Sequence, residues 1–120
     1  MNIGKTESFR DLAVWKKSHE LTVALYVAKP TKKIYLNLMM KIRDLAASVS
    51  ANIAVGYKKR NRNAILHFYR SAQAAAEELA YLLLLAADLR ALKNAQTFQK
   101  SLEEVEIMLL RLIRSNTQTQ

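Results

Sequence analysis

A chain of 120 residues that is 51% hydrophobic, with two Gly, one Pro and no Cys, fits a single domain around one core. So few turn formers beside so much Ala, Leu, Lys, Arg and Glu points to an all-helical fold. The missing Cys excludes disulfides, thiolate nucleophiles and Cys-based metal sites, and the net charge of +9 suits a polyanionic partner.

Position sharpens the charge. Residues 1–76 hold 14 Lys and Arg against 4 Asp and Glu, a net +10, whereas residues 77–120 hold 5 against 6, a net −1. The opening MNIGKTESFRD lacks the apolar core of a signal peptide. The longest unbroken apolar run, residues 79–87, is nine residues, against the roughly 20 that a membrane helix needs. A soluble, cytoplasmic protein is expected.

In chain order, Ser8 and Asp11 have the spacing of a capping box, so a first helix is predicted over about 9–28. Its stripe is Val14, Ser18, Leu21, Leu25 and Ala28, with Leu12, Trp15, Thr22 and Tyr26 beside it. Pro30 ends it, lacking an N–H and disfavouring helical geometry in the residue before. A second helix, about 33–56, carries Leu38, Ile42, Leu45, Val49 and Ile53 at spacings of four, three, four and four. Gly56 is expected to stop it in a left-handed cap. Asn61 or Asn63 can cap a third helix, about 62–90, with Ile65, Phe68, Ala72, Ala75, Leu79, Leu82, Ala86 and Leu89 on one stripe. Asn94 can cap a fourth, about 95–114, carrying Phe98, Leu102, Val105, Leu109 and Leu112. Residues 1–8 and 115–120 are read as frayed tails of this one domain, residues 1–120.

Short connections favour an antiparallel up-down four-helix bundle. Residues 79–87 are apolar all round, and Ile107, Met108, Leu110 and Ile113 widen the stripe of the fourth helix. Either the core is generous or, as expected here, the third and fourth helices also bury a face against another subunit.

Three segments in order, FRDLAVWKKSHEL at 9–21, IRDLAASVSANIAVG at 42–56 and ILHFYRSAQAAAEEL at 65–79, resemble a family of four-helix-bundle proteins. That family includes the proteins encoded by intervening sequences in bacterial 23S rRNA genes and the accessory variability proteins of diversity-generating retroelements. Phe9, Leu12, Val14, Trp15, Ser48, Ala51, Asn52, Ile53, Ala54, Gly56, Phe68, Ala72, Glu78 and Leu79 carry the match. The resemblance spans about residues 9 to 113 and implies a bundle that assembles into a homopentameric barrel without enzymatic activity. It further implies binding to nucleic acid or to a nucleic-acid enzyme, for the retroelement branch a reverse transcriptase working on a template RNA. Departures from the pattern are Val55 and Ala80 where the family has Glu, Ala74 and Ala75 in place of a Gly-Ser pair, and Ser50 in place of Pro. Losing two carboxylates makes the chain more basic and leans toward the retroelement branch.

Candidate binding residues form two groups. Lys58, Lys59, Arg60 and Arg62 lie in the second connection, either a solvated loop or a grip on a polyanion. The grip is favoured by the neighbouring Tyr57, Asn61 and Asn63, by the N-terminus of the third helix and by the lack of nearby carboxylates. Lys29, Lys32 and Lys33, joined by Arg90 and Lys93, form a second group expected at the opposite end. Lys41, Arg43 and Arg70 could link the two along the second and third helices. Arg60, Arg62 and Arg70 are the stronger candidates because guanidinium grips phosphate in two places. Trp15 reads as core packing rather than as a base-stacking platform, and Asn52 as a structural hydrogen-bonder.

No catalytic residue is expected. His19 and His67 lack the Glu three residues ahead that bundle di-iron sites use, and no hydrolase, zincin or phosphate-loop motif occurs. Neither metal nor cofactor is expected. The sequence thus points to a non-catalytic, basic, oligomeric binder of RNA or DNA, with a retroelement accessory protein as the favoured kind. The alternatives are the rRNA intervening-sequence type and a structural ring that meets an acidic protein.

Overall fold

In the structure, a computed structural model that describes residues 8–117, the first turn departs from expectation. Ser8 Oγ accepts from the Arg10 N–H at 3.1 Å, one residue short of the position that a capping box engages. The Asp11 and Leu12 N–H groups then reach back three residues, to Ser8 and Phe9 carbonyls. The result is a 3-10 turn, Phe9–Asp11, and helix α1 starts only after the extended Leu12, at Ala13–Val27. A second 3-10 turn, Lys33–Tyr35, leads into α2 Leu36–Lys58, followed by α3 Arg62–Leu89 and α4 Ala95–Thr117. Helix α4 therefore runs through Ser115, Asn116 and Thr117, part of the tail expected to fray; residues 1–7 and 118–120 lie outside the described residues.

The helices pack in cyclic order, α1 on α2, α2 on α3, α3 on α4 and α4 on α1, and among the described residues the backbones of diagonal pairs stay further apart than those of neighbours. This is the up-down bundle that short connections demand. It measures 52 × 25 × 20 Å. Thr31 fastens the two connections at one end, its N–H donating to the Ala91 carbonyl at 2.9 Å and its Oγ1 to the Arg90 carbonyl at 2.8 Å. The connection between α2 and α3 lies at the other end, about 34 Å away at 1.5 Å per residue along α2.

Val14, Leu21 and Leu25 of α1, Ile42, Val49 and Ile53 of α2, and Leu102, Val105 and Leu109 of α4 are buried as their spacing predicts. Each such side chain contributes about 1.5–3 kcal/mol when fully buried. In α3 the buried residues are Leu66, Tyr69, Ala72, Ala75, Ala76, Leu79, Leu83 and Ala86. Ala72, Ala75, Leu79 and Ala86 are buried as the expected stripe has them; at Ile65, Phe68 and Leu82, which are half-buried, the next residue is the buried one, and Leu89 is exposed. The apolar pairs Ile65–Leu66 and Leu82–Leu83 leave the choice of face to packing.

Ser18 and Ser50 are the buried polar residues of the core. Their hydroxyls meet at 2.7 Å across α1 and α2, and Thr22 Oγ1 donates to the Ser18 carbonyl at 2.8 Å while lying 3.1 Å from the Ala46 carbonyl. Among the described residues, no buried side-chain polar atom is left without a partner, as a stable interior requires.

Gly56 corrects the expected cap. It lies inside α2, buried, without positive φ, and the helix continues to Lys58. A Cβ there would come within 2.7 Å of Tyr69 Cε1, so its bareness serves helix contact. Among the described residues the left-handed ones are instead Arg90 (φ 56) and Asn94 (φ 59). Arg90 ends α3, its N–H bonding the Ala86 and Ala87 carbonyls while the Ala91 N–H reaches the Ala86 carbonyl at 2.8 Å. That is a Schellman closure with Arg where Gly is usual. Asn94 precedes α4, its carbonyl accepting from the Thr97 N–H at 2.9 Å.

Candidate nucleic-acid interface

Lys58 is the last residue of α2 and Arg62 the first of α3, so residues 59–61 make the whole connection. Lys59 is extended, with its N–H on the Gly56 carbonyl at 3.1 Å. Asn61 is the α3 cap, its Oδ1 accepting from the Ala64 N–H at 3.2 Å. Lys58, Lys59, Arg60 and Arg62 are all exposed. Among the described residues the one ion pair is Lys17–Glu104, at 2.6 Å between α1 and α4, so all four cations stand without a carboxylate partner. Glu104 holds the Lys17 ammonium above its usual range through that hydrogen bond, and the lysine holds the Glu104 carboxyl below its own.

Two lysines of this pole rest on aromatic rings. Lys58 Nζ is 5.5 Å from the centre of Phe9, and Lys59 Nζ is 5.3 Å from that of Phe68. Arg70 is exposed on α3, about 12 Å along the helix from Arg62, and lines a surface groove of about 450 Å³ with Asn63, His67 and Ser71.

Lys29, Lys32 and Lys33 are exposed at the opposite end together with Arg90 and Lys93. Lys29 and Lys93 line a cleft of about 440 Å³ between the two connections, with Thr31, Asn94 and Phe98. The two basic groups thus occupy opposite poles. Lys41 is exposed between them.

Arg43 has another role. Its Nε donates to the Leu25 carbonyl at 3.1 Å and its Nη2 to the Ala28 carbonyl at 2.7 Å, which satisfies the open end of α1 and suits a cation at a helix C-terminus. Its guanidinium also lies 6.0 Å from the Tyr26 ring centre. Asn52 is structural too, but within its own helix: Nδ2 donates to the Ser48 carbonyl at 2.9 Å.

Against the basic poles stands an acidic seam. Burial first, then Glu77 of α3 and Glu103 of α4, push the Glu106 carboxyl above its usual range. Exposed apolar side chains are not confined to α3 and α4, where Tyr81, Leu84 and Ile107 lie, but include Val23, Val27 and Met40 of α1 and α2. Val23, Met40 and Ile107 each stand about 180° around their helices from the buried stripe, so they face away from the core. Among the described residues no group of three His, Asp or Glu side chains is placed to hold a metal, and no helix is long and apolar enough to cross a membrane.

The family model for 23S rRNA-intervening sequence protein matches residues 10–117, nearly the whole bundle and both basic poles. The chain belongs to that family. No curated protein matches it. Membership in the 23S rRNA-intervening sequence family agrees with the segments that carried the resemblance and with the four-helix architecture; the retroelement branch rests on the residue departures alone.

Proposed function

We propose that this member of the 23S rRNA-intervening sequence protein family is a non-catalytic RNA-binding bundle that grips phosphate at its basic poles. The carrying observation is the exposed, unpaired set Lys58, Lys59, Arg60 and Arg62 at one end of the bundle. With no carboxylate to neutralise it, such a set attracts phosphate at long range and releases counterions on contact. Arg70 and the cluster at Lys29, Lys32 and Lys33 extend the same electrostatic footprint.

Self-association belongs to this reading. Large apolar side chains remain exposed on all four helices, among them Val27, Met40, Tyr81 and Ile107, and a ring of copies would cover some of them and repeat each pole. Repetition turns weak phosphate contacts into strong binding. The resemblance supplies five as the subunit number. Val55 and Ala80, apolar where the family has Glu, favour a second and narrower reading, an accessory protein that holds template RNA and a reverse transcriptase together.

The test is the affinity for a structured RNA measured across salt. Contacts to phosphate predict a steep, nearly linear fall of log affinity with log salt, by about 0.7–0.9 per phosphate neutralised. An affinity that is flat from low to moderate salt contradicts the reading.

A further inference from the structure

Trp15 is the only tryptophan of the chain. It is half-buried, one part packed on the core, but core packing does not account for what covers it. The exposed His19 lies on its indole, ring centres 4.7 Å apart and planes within 9°. Phe9 meets the same indole edge-on at 5.0 Å. Spacing of four along α1 brings Trp15 and His19 onto one face, and the 3-10 turn carries Phe9 back to them. Lys58 stands over the Phe9 ring, 5.5 Å from its centre. The series cation, ring, ring, ring therefore runs from the basic pole along the outside of α1.

Aromatic faces beside a cationic groove are how proteins hold unpaired nucleobases: the rings take the bases and the cations take the backbone. We propose that Phe9, Trp15 and His19 form a stacking platform for the bases of single-stranded RNA, whose phosphates meet Lys58 and Lys59. The proposal rests on the RNA-binding reading above and adds the strandedness of the RNA and the side chains that sense it. Exposed Arg10 and Lys16 adjoin Phe9 and Trp15 in sequence, as exposed Asp11 and Glu20 flank the rings; the charges there balance, so the denser cluster at Lys58 and Lys59 takes the phosphates. An acidic protein would satisfy the lysines without using the rings, and a duplex keeps its bases stacked on each other.

Trp15 emission reports the site directly. The full chain is titrated with a single-stranded oligoadenylate of about 12 nucleotides and, separately, with inorganic polyphosphate. Stacking predicts that oligoadenylate quenches Trp15 and that polyphosphate binds without doing so. His19→Ala should weaken oligoadenylate binding by about 5- to 100-fold, leave polyphosphate binding unchanged, and be rescued by His19→Phe. His19 is exposed, so far-UV dichroism of the variant should match the parent. Oligoadenylate that binds with unchanged Trp15 emission and equal affinity for His19→Ala overturns the platform while leaving RNA binding intact. Failure of oligoadenylate, duplex and structured RNA alike to bind overturns both.

Discussion

At Gly56 the chain omits a side chain so that the Tyr69 ring can lie against α2, 2.7 Å from where a Cβ would stand. Replacing a mid-helix Gly by Ala ordinarily gains about 1 kcal/mol. Here the ring and the Phe68 Cβ, 3.1 Å away, must yield, and overpacking of this kind costs about 1–3 kcal/mol. Gly56→Ala is therefore expected to lower the denaturation midpoint, opposite in sign to helix propensity. Arg90 presents the reverse case. It holds a left-handed conformation at φ 56, which costs a residue with a Cβ about 1–2 kcal/mol. The Thr31 Oγ1 bond at this site falls on the Arg90 carbonyl, so Arg90→Gly keeps it. The substitution is expected to raise stability by up to about 1 kcal/mol, read from thermal or urea unfolding. Both residues also show what residue types conceal. A Gly near the end of an apolar run signals a helix stop, and nothing in residues 53–63 reveals the distant Tyr69; conversely, no Gly marks the end of α3.

Among the elements, the seam between α3 and α4 sets carboxylates against one another. Burial and the charges of Glu77 and Glu103 raise the Glu106 pKa above its ordinary 4.5. Between the ordinary value and the raised one the folded chain holds more protons than the unfolded chain, so stability falls as pH rises through that window. Above it the folded state carries a disfavoured charge. Glu106→Gln is thus expected to stabilise the protein at pH 7, with the gain shrinking as pH falls toward 4.5; urea midpoints measured at several pH values check it. Four helices, their order and their approximate ends were legible in the sequence because Pro30, Asn61 and long apolar spacings punctuate it. The face of α3 was legible at Ala72, Ala75, Leu79 and Ala86 but not elsewhere, since adjacent pairs such as Phe68–Tyr69 supply an apolar residue to either of two faces about 100° apart. Arg43 was equally opaque. Its partners are backbone carbonyls at Leu25 and Ala28, which any sequence would have offered.

For the whole molecule, an uneven charge along the chain becomes a geometry. Two cationic ends, separated by the length of α2, flank a waist whose α3–α4 side holds Glu77, Glu103 and Glu106. Lys58, Lys59, Arg60 and Arg62 were legible as a cluster because they are consecutive or nearly so. The rings beneath Lys58 and Lys59 were not, for Phe9 and Phe68 reach them from other elements. The decisive experiment replaces these four cations by Ala and compares the salt dependence of structured-RNA affinity with that of the parent, at unchanged oligomeric state. A phosphate grip at this pole predicts affinity lowered by at least about tenfold, with a log–log salt slope shallower by about 0.7–0.9 for each phosphate no longer neutralised. An intact oligomer that binds RNA with the parent's affinity and slope would contradict it.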